Sequence, residues 1–269
     1  NGKQIWQKTY SSSPSGYTNT APKVIADASG NCIVSGGNGQ APYVIKYNSA
    51  GTLLFNSVPA NPSGYTYSKW NDAALDAAGN IYNTGDCDSS SAKYYYTSKY
   101  NSAGVLQWSK IFRGSSLYQS KANKIAVGAG GVYVTGEFNS GATDYLTIKY
   151  NSSTGDTLWT RKYNGTSNIT DYGKLIALDA GENVYVSGIT NYTTAGDIAT
   201  VKYNSSGVQQ WVRTYAGAGG YLDEPRDITV DISGNIIIAG ASDLSLFGKT
   251  LSIKYNTNGD SLWVKLYDI

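Results

Sequence analysis

Any chemistry this chain performs must be done without histidine, because its 269 residues contain none. That removes imidazole acid–base catalysis, Ser-His-Asp triads and histidine-bound zinc or iron. Three other sets of side chains could act. The carboxylates Asp171, Asp223, Glu224 and Asp227 fall in or beside loops, and a facing pair of them could cleave a glycosidic bond. Tyrosines crowd the same kind of segment: Tyr17, Tyr65, Tyr67, Tyr118, Tyr172 and Tyr221 in one loop set, Tyr94 (with Tyr95) and Tyr192 in another. Their rings can stack on sugars while neighbouring Asn, Asp and Lys bind hydroxyls; the same mixture suits a protein partner, and a repeated loop tyrosine can also simply pack between neighbouring units. The third set is basic. Lys23, Lys124, Lys174 and Arg226 open equivalent strands, beside Asn71, Asp72, Asn123 and Asp227. Amines around one axis could hold an anion, whereas bases offset by Asp72 and Asp227 would only line a polar channel.

Other chemistries find less support. Asp86-Cys87-Asp88 resembles the start of a calcium loop but lacks the glycine and distal glutamate of an EF-hand. No catalytic residue, metal-ligand set or cofactor motif is assigned. Cys32 and Cys87 could pair in a secreted protein or be two separate thiols. The net charge of +2, from 21 basic and 19 acidic residues, argues against nucleic acid as a partner. No apolar run approaches the ~18 residues of a membrane span, so no membrane insertion is expected. The sequence starts at Asn1 and has no Met, which suggests a processed product or an excised domain.

The elements that must position these residues repeat. A strand–turn–strand unit recurs at 24–36, 73–85, 125–136, 176–188 and 228–240, as in VIADASGNCIVSG. Its Asp (Asp27, Asp76, Asp179, Asp231) can cap the turn amides, and its Gly takes a positive φ. An alternating strand ending in Lys-Tyr-Asn follows, starting that tripeptide at Lys46, Lys99, Lys149, Lys202 and Lys254. A third strand is centred on an aromatic: Trp6, Phe55, Trp108, Trp159, Trp211 and Trp263. Each unit thus has four strands, A to D. Four antiparallel strands recurring about every 52 residues describe the blades of a β-propeller, stacked because one blade cannot bury both its faces. The repeated Trp reads as blade packing. The repeated Lys reads as a stem covering a neighbouring strand with its head in solvent.

These motifs, D-x-x-G-N-x-Y-V-x-G, I-K-Y-N-x-x-G and G-x-x-x-W, resemble the SBBP-type β-propeller repeats of bacterial secreted and surface proteins. The resemblance implies an all-β propeller and an extracellular or cell-surface location; it implies little about activity. Phe55 in place of Trp, and Gly128-Ala129-Gly130-Gly131 without the turn Asp, read as local variation.

The expectation is therefore one all-β domain over 1–269 with five four-stranded blades, near 22–57, 72–110, 122–163, 174–215 and 226–267. Six D-like strands against five A–B–C sets leave residues 1–10 as a surplus, either a ring clasp, a fifth outer strand, a strand joining protomers into a homo-oligomer, or the remnant of a longer array. The A–B and C–D turns emerge on one face and are monotonous. The B–C and D–A loops emerge on the other and vary, which is where binding usually resides on a rigid scaffold. The functional expectation is a non-catalytic recognition or adhesion module for a glycan or surface protein. The alternatives are an assembly protein and a carboxylate-based polysaccharide-degrading enzyme.

Overall fold

The turn aspartates show why the chain doubles back where it does. In the computed structural model, Asp27 Oδ1 accepts hydrogen bonds from the amides of Ser29 (3.0 Å) and Asn31 (2.9 Å), and Oδ2 from the Asn31 amide group (2.8 Å). Asp76, Asp179 and Asp231 make the same set. Asn48, Asn101, Asn204 and Asn256 cap the C–D turns in the same way, each bonding the amides two and four residues on. The structure describes residues 2–10, 20–89, 92–113, 119–166, 169–193, 195–244 and 248–268.

Between these turns the described residues form twenty strands in five antiparallel sheets and no helix. The first blade is β1 (Thr20–Ala26), β2 (Cys32–Gly37), β3 (Pro42–Tyr47) and β4 (Leu53–Ser57). The second is β5 (Tyr67–Leu75), β6 (Ile81–Asp88), β7 (Lys93–Tyr100) and β8 (Leu106–Phe112). The third is β9 (Lys121–Gly128), β10 (Gly131–Asn139), β11 (Thr143–Tyr150) and β12 (Thr157–Tyr163). The fourth is β13 (Tyr172–Leu178), β14 (Val184–Thr190), β15 (Asp197–Tyr203) and β16 (Gln209–Tyr215), and the fifth β17 (Glu224–Val230), β18 (Ile236–Ser242), β19 (Lys249–Tyr255) and β20 (Ser261–Tyr267). Strand order within each sheet follows the sequence, as expected for propeller blades.

The chain divides into two compact units, residues 1–129 with 153–156, and 130–152 with 157–269. In the first, β5 packs on the sheet of β1–β3, and β9 on that of β5–β7. In the second, β13 packs on β10 and β11, and β17 on β13–β15. Ile33, Val44, Trp70, Ile81 and Tyr100 are buried in one core; Val184, Val186, Val201, Ile236, Ile238 and Ile253 in the others.

A second contact repeats from blade to blade. The D-strand aromatic of one blade lies on the C–D turn glycine of the next: Phe55 on Gly104, Trp108 on Gly155, Trp159 on Gly207 and Trp211 on Gly259. These glycines have φ between +73° and +81°, and a Cβ on any of them would come within 2.5–2.8 Å of the ring. Both backbone and space therefore demand glycine. The indole also donates to the same turn: Trp159 Nε1 to Ser205 O (3.2 Å) and Trp211 Nε1 to Thr257 O (3.1 Å). Those carbonyls accept a second bond from the repeated lysine, Lys149 Nζ at 3.1 Å and Lys202 Nζ at 2.8 Å. The lysine heads are thus engaged with the next blade rather than sent to solvent, and Lys46 and Lys149 are buried. An aromatic buries roughly 150–250 Å², and at about 25 cal/mol per Å² each seat contributes several kcal/mol.

The missing turn aspartate of the third blade is replaced from the fourth. Glu182 stands where the other A–B turns carry glycine and holds φ at +58°. That left-handed conformation costs on the order of 1–2 kcal/mol for a residue with a side chain. It aims the carboxylate at the neighbouring blade, where it accepts hydrogen bonds from Gly130 N and Tyr133 OH (2.6 Å). Residues 2–10 form no strand. Trp6 instead covers Gly51 and donates Nε1 to Ser49 O at 3.0 Å.

Candidate functional site

At the loop end of the second unit, two aspartates fix the loops before any site is formed. Asp171 and Asp223 are fully buried. Asp171 accepts from Gly165 N (2.6 Å), Thr190 Oγ1 (2.7 Å) and Asn191 N (2.9 Å). Asp223 accepts from Gly217 N (2.6 Å) and Asp243 N (3.1 Å). Each therefore ties a D–A loop to the B–C loop of the same blade. Asn191 and Asp243 lie in the left-handed region at φ 55° and 58°, a conformation that Asn and Asp tolerate better than other side chains.

This tie places Tyr172 against Tyr192. Tyr192 N bonds Thr170 O at 2.9 Å, and the rings meet edge to face with centroids 4.9 Å apart. They open a groove of about 270 Å³ that also takes Glu137 from β10, Lys174 from β13 and Glu224 from β17, with Ile189 and Leu222 as its apolar lining. Three successive blades thus contribute. Tyr192 is 44% exposed. Burial, then the neighbouring Glu137 and Tyr192, push the Tyr172 hydroxyl above its ordinary pKa, so it remains a hydrogen-bond donor at neutral pH. Lys174 pairs with Glu224, which also meets Arg226 at 2.6 Å.

The remaining candidate tyrosines disperse. Tyr65 and Tyr94 meet edge to face at 5.9 Å, and Arg113 Nε donates to the Tyr65 hydroxyl at 2.8 Å. Tyr94 is buried in the first unit's core with Tyr65 packed against it, so this pair serves packing. Tyr67 is half-buried and Tyr221 exposed. Tyr17 and Tyr118 lie outside the described residues.

The basic residues are offset, by Asp72 as the sequence suggests but not by Asp227. Asp72 pairs with Lys23 (3.1 Å) and Lys124 (3.8 Å) in the first unit. In the second, Glu224 rather than Asp227 takes Lys174 and Arg226; Asp227 caps the amide of Ile228. Of the carboxylates that could have formed a catalytic pair, Asp171 and Asp223 are committed to loop amides. Glu137, which the sequence reading did not single out, is the one that joins Glu224. Only its position next to the glycine that ends the B-strand motif, Gly136, could have marked it.

Asp86 and Asp88 are bridged by Lys93 at 3.5 and 3.2 Å. Among the described residues no group of three or more His, Cys, Asp or Glu side chains could hold a metal. Cys32 and Cys87 are both free thiols. Burial, aided by Asp86 and Asp88, pushes the Cys87 thiol up to about 12, so it is not a nucleophile at neutral pH. A larger cavity of about 530 Å³ lies at the turn end of the first unit, lined by Asp27, Lys46 and Asp76 among others. Its charged groups are already used: Lys46 pairs with Asp27 at 2.8 Å, and Asp76 caps its own turn and accepts from Tyr82 OH.

Residues 210–248 match the model of the SBBP beta-propeller repeat, the family that the sequence motifs resemble. No curated protein matches the chain. Among solved structures, the chain is similar to a polysaccharide lyase, an ulvan lyase bound to -[GlcA(1-4)Rha3S]- (10% identity, 91% of this chain and 70% of that one, TM-score 0.55). It is also similar to the quinohemoprotein alcohol dehydrogenase of Comamonas testosteroni (13%, 93% and 44%, 0.58). A third is the extracellular domains 1-2 of Drosophila Semaphorin 1a (11%, 93% and 68%, 0.53). The chain spans less than half of the dehydrogenase. Likeness at these identities shows the fold, a β-propeller, and the five four-stranded sheets of the described residues fit five blades.

Proposed function

We propose that this chain is a non-catalytic extracellular recognition module that binds a saccharide in the Tyr172–Tyr192 groove. The observation that carries this reading is an exposed aromatic ring, Tyr192, braced edge-on by Tyr172 beside two carboxylates and an ammonium. The Tyr192 face stacks on the C–H face of a sugar ring. The Tyr172 hydroxyl and Lys174 donate to sugar oxygens, and Glu137 and Glu224 accept from sugar hydroxyls. At about 270 Å³ the groove falls just below the roughly 300–1,000 Å³ of sites for drug-sized ligands, a size for one sugar unit of a chain. One propeller neighbour is described with a bound oligosaccharide, in keeping with this ligand class.

The lack of histidine and the pairing of Glu224 support binding over catalysis. The chain has no histidine, Tyr172 keeps its proton, and Glu224 is held between Lys174 and Arg226. Screening a panel of neutral, uronic-acid and amino-sugar glycans tests the reading. Saturable binding that Tyr192→Ala removes is expected; no binding to any member would count against it. Glu137 and Glu224 sharing one groove is the observation that favours cleavage instead. Release of reducing or unsaturated ends from a bound glycan, lost in Glu137→Gln, would replace the binding reading with that one.

A further inference from the structure

The chain has six D-strand aromatics and five turn glycines to receive them. Gly51, Gly104, Gly155, Gly207 and Gly259 are covered by Trp6, Phe55, Trp108, Trp159 and Trp211. Among the described glycines, none has Trp263 against it. Trp263 is 37% exposed, against 8% and 9% for Trp108 and Trp211, which are seated on a following blade. Leu262, Val264, Leu266 and Tyr267 are exposed around it, so all of β20 faces solvent. Sequence counting points to residues 1–10 as the surplus segment. In the structure Trp6 covers Gly51, and no described glycine has Trp263 against it.

The two segments are the same element. Residues 1–10, NGKQIWQKTY, and 258–267, NGDSLWVKLY, share Asn-Gly, Trp, Lys and Tyr at equivalent positions. They differ in how they are held. Trp263 stands on β20, paired along its length with β19. Trp6 stands on a segment without strand pairing, where Ile5 is almost fully exposed. Its described anchors are Trp6 on Gly51 and Ser49 O, the Trp6–Tyr47 and Tyr10–Tyr43 ring contacts, and Asn56 Nδ2 to Tyr10 OH at 3.1 Å.

We propose that the β20 face docks on a second copy of this chain, with Trp263 of one copy taking the Gly51 turn of the other, and that Trp6 blocks this by occupying the turn in its own chain. The occupant is specified by the contacts already in use. Each seat is a glycine in the left-handed region with a ring over it, and at Gly207 and Gly259 a turn carbonyl also accepts the indole N–H. Two residues beyond the aromatic, Lys110, Arg161 and Arg213 reach the same following turn, at Asp156, Gly207 O and Gly259 O. Lys265 holds that position after Trp263, and Lys8 after Trp6. Gly51 is the turn whose ring comes from an unpaired segment rather than from a blade, so it is the one open to exchange. Such an interface is head-to-tail and can extend.

Sedimentation of the full chain over a range of concentrations tests this. The Trp6→Ala variant should self-associate at least tenfold more tightly than the unmodified chain. Adding Trp263→Ala should return it to monomer; both sites are on the surface, so the fold should survive, which circular dichroism would check. Trp6→Ala remaining monomeric, whether or not its Trp263 fluorescence shifts to the blue, would overturn the proposal. So would association that persists in the double variant.

Discussion

Aspartates at the two ends of the same sheets behave in opposite ways. At the turn end, burial raises the pKa of Asp27, but hydrogen bonds from Lys46 and Asn31 outweigh it and hold the group well below the ordinary carboxylate range. Asp76 and Asp179 are lowered too, burial again opposed by bonds from Asn80 or Asn183 and from a tyrosine hydroxyl. At the loop end, burial raises Asp88, Asp144 and Asp197, and like charges add to it: Asp86 beside Asp88, Asp171 beside Asp144, Asp223 beside Asp197. The turn end has been arranged for the stability of each blade. The loop end retains desolvated carboxylates beside like charges, with Asp88 and Asp144 each also paired to a lysine, Lys93 and Lys162. The repeated residues thus build the blades, and the residues that differ between blades shape the groove.

The largest effect expected on the repeated side is at a seat. Trp211→Ala removes a ring from Gly259 and a hydrogen bond from Thr257 O, and should lower unfolding free energy by roughly 3–5 kcal/mol in a denaturant titration. Asp179→Ala should cost about 2–3 kcal/mol. It leaves the amides of Gly181 and Asn183 and the hydroxyl of Tyr185 without their acceptor.

The pH response separates the two ends by sign. Asp27 and Asp179 have folded pKa values below the unfolded one, so their stabilisation is present above about 3.8 and is lost as pH falls toward the folded values. Asp197 is raised, so its contribution is favourable at low pH and is lost as pH rises through its folded value. Asp197→Asn should therefore raise the melting temperature slightly at pH 7 and leave it unchanged at pH 3. A fall at pH 7 would mean that the loop-end carboxylate stabilises the fold after all.

How much of this was legible beforehand follows from what repeats. Three motifs in fixed order marked the strands and turns, because a β-turn and a period-2 strand are local and each leaves its residues in the sequence. Contacts from one blade to the next left weaker traces. The Trp211–Gly259 seat joins residues in different repeats, each of which looks complete within its own. Glu182 carries no mark within its own repeat, and Gly128-Ala129-Gly130-Gly131 reads as local variation, because the bond from Gly130 N to Glu182 joins two repeats. The groove was half legible. Tyr172 and Tyr192 stood out by type, but Tyr65 and Tyr94 stood out equally and are packed inward, because burial depends on neighbours that no local pattern reports.

The division between a repeated scaffold and a variable groove is tested most directly at Tyr192. Titrating a glycan identified by screening into the unmodified chain and into Tyr192→Ala, with the melting temperature of each, measures both sides at once. An exposed side chain that only binds should give at least a tenfold loss of affinity, about 1.4 kcal/mol, with the melting temperature unchanged. Affinity retained while the melting temperature falls would place Tyr192 among the packing residues and contradict the proposed site.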